Sequence, residues 1–444
     1  MTPPQVHETI PPFPTALDPR VGVVVHSHLR WDFVWQRPQQ ILSRIARSNP
    51  VLFVEEPIFL DEVDVPSLDL TVPHEGVVRA VPRLPRAGGA SYDDAIGTIR
   101  SLLSAALARA PLAGRFDRVV QWFYTPMPAP EMLGAFGEEG VVYDCMDELA
   151  KFRFAPPDIG RRERLLLSRA DLVFTGGWRL YESKSRYHDD VHFFGCGVDA
   201  RHFAAARRLE TEIPRDADAF TGPVLGYFGV VDERLDYDLI RALAASHPEW
   251  TVLMIGPVVK VDPAELPRGA NIHWLGQRGY DQLPAYVKRF DVCLMPFALN
   301  EATEFINPTK TLEYMAAGRP IVSTPVADVV HNFGDIVHVA DGGEAFVAAV
   351  ERVIEEPDER RVEAGIERAA QASWESIVSR MRQLIVEAVG ARATSARVDG
   401  ALVSVLPDVD AEPSHASRAS RTARAAPDAS IPLNLTIGRS PGAP

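Results

Sequence analysis

Short runs of β-branched residues alternate with stretches of helical apolar spacing along most of this chain, which limits it to parallel sheets covered by helices. In the first half the strand-like runs lie near Val21–Val25, Val51–Val54, Val77–Val81, Val119–Phe123, Val141–Tyr143, Leu172–Phe174 and His192–Phe194. A second series lies near Val224–Phe228, Thr251–Ile255, Ile272–Leu275, Val292–Met295, Pro320–Ser323 and Ile336–Val339. The polar stretch 204–221, which contains Pro214, separates the two series and reads as a linker. The prediction is an α/β protein of two doubly wound, Rossmann-like domains, 21–203 and 222–372, facing each other across a cleft. Residues 1–20, rich in proline, read as a flexible N-terminal segment. Trp374, Ile377, Met381, Leu384, Ile385 and Val389 share one helical face and predict an amphipathic helix over 373–390. Beyond Gly390 few large apolar residues remain, so 391–444 reads as a disordered tail.

At 444 residues the chain exceeds what one core supports, and 46% hydrophobic content is globular. A net charge of −14 leaves no basic excess to displace counterions from nucleic acid. Cys145, Cys196 and Cys293 are far apart, without metal or redox spacing, which fits a reducing cytosol. No apolar run approaches a membrane-spanning length, so the expected location is cytoplasmic. Arg37, Arg44 and Arg47 leave open a peripheral contact with anionic lipid at the inner face of the plasma membrane, against the alternative of a solvated helix face.

Asn307-Pro308-Thr309-Lys310 opens a helix, and Gly318 ahead of Pro320 closes it. Asn307 suits the N-cap, Pro308 the first helical position and Gly318 a left-handed stop. Such an amino end, with Lys310 in its first turn, suits a phosphate, and Glu313 on the same face as Thr309 and Lys310 suits sugar hydroxyls. The plain alternative is an ordinary capped helix bearing an exposed Lys–Glu pair.

In doubly wound sheets ligands sit beyond the carboxyl ends of the strands. The loop after the first strand carries His26, His28, Trp31 and Arg37, residue types that suit an acceptor ring, although a tryptophan there serves equally as core and a loop histidine as surface. Asp144 and Asp147 follow the strand at Val141–Tyr143; either would accept a hydrogen bond or proton from an incoming hydroxyl, and Asp147 alternatively caps the next helix. Gly176-Gly177 lets a ligand or a helix approach the backbone. Arg234, after Gly226-Tyr227-Phe228-Gly229, offers a planar fork for phosphate. No Gly-x-Gly-x-x-Gly or Walker loop follows a strand, which disfavours dinucleotide enzymes and nucleoside triphosphatases.

Trp31-Asp32-Phe33-Val34-Trp35-Gln36-Arg37-Pro38, Ala170-Asp171-Leu172-Val173-Phe174, Gly197-Val198-Asp199 with Phe203, and Leu312-Glu313-Tyr314-Met315-Ala316-Ala317-Gly318-Arg319-Pro320 occur here in one order. With these segments the chain, from about 21 to 388, resembles the retaining GT-B glycosyltransferases of family 4, near the bacterial enzymes of surface and teichuronic-acid-type polysaccharide synthesis. The resemblance implies a GT-B fold whose last helix returns to the first domain, with a nucleotide-diphosphate sugar held mainly by the second domain and a glycan, lipid-linked saccharide or small glycoside mainly by the first. It assigns Glu313 to the donor ribose, and Lys310, Thr309, Pro308 and Asn307 to the diphosphate, with Arg234 nearby; Gly229 and Ile306 complete the donor set. Where the family carries a further glutamate this chain has Phe305, leaving Glu304, one residue off, to contact the sugar. The family's loop arginine is Val230 here, and its asparagine before Gly-Val-Asp is Cys196.

The expected reaction is metal-independent hexosyl transfer with retention, without cofactor. Lys310, Arg234, Glu304, Asp144 and Asp147 are the catalytic candidates. A catalytically silent sugar-nucleotide-binding protein and a GT-B epimerase are the rival readings.

Overall fold

Strands buried on both faces read as continuous apolar runs, and parallel pairing follows because the covering helices supply the crossovers. The structure, a computed structural model, describes residues 18–86, 92–152, 154–301, 303–403 and 433–436. In the first lobe β1 (Val21–His26), β2 (Val51–Val54), β3 (Ile58–Leu60), β4 (Ser67–His74), β5 (Val77–Pro85), β6 (Arg118–Phe123), β7 (Gly140–Cys145), β8 (Leu172–Thr175) and β9 (Val191–Phe193) build one sheet. The second lobe holds β10 (Val224–Phe228), β11 (Thr251–Ile255), β12 (Ile272–Gly276), β13 (Val292–Met295), β14 (Ile321–Ser323) and β15 (His338–Val339). A last strand, β16 (Leu433–Thr436), returns to the first sheet.

The strand orders are β16-β4-β5-β2-β1-β6-β7-β8-β9, with β3 on β5, and β12-β11-β10-β13-β14-β15. Among the described strands, only β4 and β5 pair antiparallel. Both sheets are doubly wound, as the alternation predicted, and the loops that follow β1, β7 and β8 meet those that follow β10, β11 and β12.

The helix Trp374–Val403 buries Trp374, Val378, Met381, Leu384 and Ile385 in the core of the first lobe, against Ile41, Leu42, Trp122 and Phe174. The chain therefore crosses between lobes twice, and the crossings run side by side: Val198 N donates to Ala372 O at 2.8 Å. Val198 and Phe203 already belong to the second lobe's core, so the outward crossing lies just before Val198. The stretch 204–221 is fastened to the second lobe, where Lys288 Nζ donates to the carbonyls of Arg208, Leu209 and Thr211 at 2.6, 3.2 and 2.7 Å.

Of the N-terminal segment, residues 1–17 lie outside the described residues, and Asp18 pairs with Arg118 at 2.6 Å. Two parts of the 391–444 tail depart from the expectation of disorder. The returning helix runs on to Val403, and β16 lies parallel on β4, whose edge groups lack another strand. The rest of the tail lies outside the described residues. Among the described residues no helix is long and apolar enough to cross a membrane.

Candidate functional site

A cleft of about 570 Å³ separates the lobes at the carboxyl ends of their strands. The second lobe forms its polar wall. Ile306, Asn307, Pro308, Thr309, Lys310 and Glu313 all line it, together with Gly229 and Arg234. The helix runs Lys310–Ala316 with Thr309 at the N-cap, and Gly318, at φ +67°, stops it as predicted. Asn307 is not the cap: its Nδ2 donates instead to Gly176 O of the first lobe at 3.0 Å, because two further residues of turn precede the helix.

Lys310 has no ion-pair or hydrogen-bond partner among the described residues; its Nζ lies 5.8 Å from the Tyr227 ring centre and 5.9 Å from that of Phe228. Burial lowers its pKa, against the pull of Glu313. Glu313 is half-buried, likewise without a hydrogen-bond partner among the described residues, and burial raises it to about 7 although Lys310 opposes the shift. Two charged side chains left unpaired in one cleft cost stability, the expected cost of a site kept ready for a ligand.

Arg234 donates to Asp232 through Nε at 2.9 and 3.1 Å and through Nη2 at 2.8 Å. Burial works against its charge, but Asp232 holds its pKa above the ordinary value, and Nη1 remains without a partner among the described residues. The floor between Arg234 and Lys310 is bare backbone. Gly229, at φ +145°, has Lys310 Cε 2.0 Å from where a Cβ would stand, and a Cβ on Gly256 would fall 1.8 Å from Gly229 O.

The first lobe contributes Trp31, Phe33, Val34, Trp35, Met146 and Asp147. Asp147 is the one expected acidic group that reaches the cleft from this side. Its carboxylate has no hydrogen-bond partner among the described residues, and burial lifts it to about 6 against Arg234 and Lys260. Trp31 is core as well as wall, packed edge-on to Phe53 at 5.1 Å, while its amide donates to Glu55 at 2.8 Å.

Several expected roles are corrected. Asp144, fully buried, takes Nη2 and Nε of Arg37 at 2.8 and 3.1 Å, and Arg37 Nη1 donates to Phe194 O at 2.8 Å. That pair joins the end of β7 to the helix Arg37–Ile45, so the Asp144 carboxylate is taken up by Arg37, which lines the cleft with each of its nitrogens already engaged. His26 bonds Gln121 at 2.8 Å and stacks on Phe123 at 4.6 Å, away from the cleft, and burial lowers its pKa to about 4. His28 does not line the cleft either; burial lowers it to about 4 as well. Glu304 points outward and meets Arg179 at 3.5 Å. Arg37 is buried and Arg44 pairs with Glu375 at 2.8 Å, so the three arginines considered for lipid contact do not form one exposed face.

Gly256, Pro257, Gln277, Arg278, Gly279 and Tyr280 also line the cleft, and the sequence reading did not select them. The signal for the first was available, since Gly256 ends β11 as Gly229 ends β10. Tyr280 stacks on His202 at 4.5 Å, and Gln277 Nε2 donates across the mouth to Phe33 O at 3.0 Å.

Residues 222–356 match the family model described as "Glycosyl transferases group 1". Over 268 residues the chain is 26% identical to the Bacillus subtilis (strain 168) protein TuaH, named for teichuronic acid biosynthesis as a glycosyltransferase; the match covers 55% of this chain and 66% of that protein, just under two thirds of its length. Among solved structures, sucrose-phosphate synthase from Thermosynechococcus elongatus superposes with a TM-score of 0.58 at 16% identity, covering 83% of this chain and 99% of that one. A trehalose-phosphate synthase from Burkholderia xenovorans, in complex with glucose-6-phosphate, gives 0.61 at 13% identity, over 82% and 99%. HepE from Anabaena, in complex with UDP and glucose, gives 0.58 at 13% identity, over 81% and 98%. The two lobes thus have the GT-B fold, and residues 222–356 form a glycosyl transferases group 1 domain.

Proposed function

We propose that this chain transfers a sugar from a nucleoside-diphosphate sugar to a hydroxyl acceptor, with retention at the anomeric carbon. The observation that carries the reading is the unpaired Lys310 and Glu313 on one wall of the cleft, beside the free Nη1 of Arg234 and a glycine floor. HepE, a protein of the same fold, holds UDP and glucose, which supports placing a nucleotide there. Glu313 would accept from the ribose hydroxyls. Lys310 and Arg234 would meet the diphosphate, whose negative charge grows as the anomeric bond breaks, so their help is greater in the transition state than in the ground state. In this reading those cations, rather than a metal, balance the leaving group.

Asp147 faces them from the acceptor side. With a pKa of about 6 it is ionised near neutrality and placed to accept the proton of the attacking hydroxyl. The acceptor itself would rest on the apolar wall of Phe33, Val34 and Trp35. A glycan, a lipid-linked saccharide or a small glycoside fits that wall, in a cytoplasmic setting.

Thermal shift with a panel of nucleotides, followed by assay of nucleotide release from the matching nucleotide sugar, tests the reading. The anomeric configuration of the product then tests retention. Lys310→Ala should cost about 3 kcal/mol of transition-state stabilisation, roughly a hundredfold in kcat. A folded Lys310→Ala protein with unchanged turnover removes the residue from the mechanism, and a chain stabilised by no nucleotide removes the proposal.

A further inference from the structure

Asp328 belongs to the second lobe, yet its carboxylate is almost completely buried against the first. It accepts from Trp178 N at 2.6 Å and from Arg179 N at 3.3 Å, just after β8. His331, one turn along, stacks on the Trp178 ring at 5.0 Å, nearly parallel. Close by, Asn307 Nδ2 reaches Gly176 O, and Cys196 Sγ donates to Asn307 O at 3.2 Å. Both second-lobe segments therefore land on the same pair of glycines. There is no spare room: a Cβ on Gly177 would lie 2.8 Å from Asp328 Oδ2 and 3.1 Å from Phe305 O. Gly176-Gly177 is thus the seat of the other lobe, at the edge of the cleft that Gly176 also lines.

We infer that Asp328 and Asn307, seated on Gly176-Gly177, form an interlobe clasp that sets how far the cleft closes and where Lys310 stands within it. Asp328 forms no ion pair among the described residues, and burial raises its pKa while the two amides, and then the charges of His331 and Arg179, oppose that shift. A carboxylate in that state is stable only while the amides of the other lobe face it, so parting the lobes and losing its partners are one event. Asn307 stands three residues before Lys310, and any movement at its contact is passed through Pro308 and Thr309 to the ammonium group. Asp328 and Asn307 are positioning residues that act through the lobes they join. The catalytic part of this inference rests on the transfer reaction proposed above; the mechanical part does not.

Three variants test it. Asp328→Ala removes the acceptor, Gly177→Ala wedges the contact without removing a polar group, and Asp328→Asn keeps one oxygen able to accept. Small-angle scattering with UDP present should show a larger radius of gyration for the first two variants than for the parent, and a near-parental value for Asp328→Asn. With a nucleotide sugar, kcat should fall about tenfold or more in the first two, since displacements near 1 Å are that costly, while calorimetric Kd for UDP stays within about threefold. Asp328→Asn should recover most of the turnover. Unchanged scattering in both disruptive variants overturns the clasp, as does a loss of UDP affinity that parallels the loss of kcat. A parent protein that transfers no sugar defeats the functional reading, and scattering still decides the clasp.

Discussion

Replacing Glu313 by glutamine should stabilise the ligand-free protein while weakening its grip on nucleotide. Burial raises the folded-state pKa of this carboxyl from 4.5 to about 7. In the unfolded chain it ionises near 4.5, so folding forces a proton to stay bound between those values. The group's favourable contribution is complete below pH 4.5 and is lost as pH rises through 7. The loss runs at about 1.4 kcal/mol per pH unit, roughly 3 kcal/mol in full. Glu313 is half-buried, and water at the mouth of the cleft screens part of this, which leaves about 2 kcal/mol at pH 8. Glutamine carries no such penalty. For a domain of this size the gain is about 4–8 °C in Tm. Scanning calorimetry of parent and Glu313→Gln at pH 8 and pH 5 measures it: a clear rise in the first buffer and little in the second. UDP titration should show the opposite ordering, with weaker binding by the variant. Equal melting at pH 8, or an equal rise at both pH values, refutes the burial argument; equal UDP affinity returns Glu313 to a purely structural role.

Arg37→Met leaves the Asp144 carboxylate buried without its cation, and the urea midpoint should fall by the equivalent of about 3–5 kcal/mol. A loss below 1 kcal/mol would mean that water reaches Asp144. Gly229→Ala places a methyl where Lys310 passes, in a backbone conformation that L side chains avoid, so turnover with a nucleotide sugar should drop at least tenfold; parental turnover would show that the lysine rests elsewhere. If Asp147 is the proton acceptor, kcat/KM falls about tenfold per pH unit below about 6, and this acid limb is missing from Asp147→Asn. An identical limb in both proteins assigns the titration to another group.

Much of the architecture was legible because parallel strands buried on both faces leave uninterrupted apolar runs. All the strands expected in the second half are present, within two residues at either end. The reading missed β3, which is only three residues long, β4, which runs antiparallel to β5, alternates polar with apolar positions and ends in Pro73-His74, and β16, which lies in the segment expected to be disordered. Lys310, Glu313, Arg234 and Gly229 could be grouped from the sequence because the start of the helix Lys310–Ala316 and the loop after β10 both run into the cleft. Asp144, His26 and Glu304 were misread for one shared reason: a partner distant in sequence claims each of them. Arg37 is 107 residues from Asp144, and Gln121 is 95 from His26. Local spacing carries no trace of such pairings, and Asn307 deceived in the same way, its capping chemistry spent on a carbonyl of the opposite lobe.

The helix that begins at Trp374 makes the order of synthesis matter. Part of one face of the first-made sheet, beside the helix Arg37–Ile45, stays open to solvent until the last helix leaves the ribosome, roughly 200 residues after β9 has been made. Through that interval Trp122, Phe174 and Leu42 form an uncovered greasy surface on an otherwise finished half. A nascent chain stalled within the second lobe should therefore recruit chaperones at its amino-terminal half, whereas one released after Val389 carries its own cover.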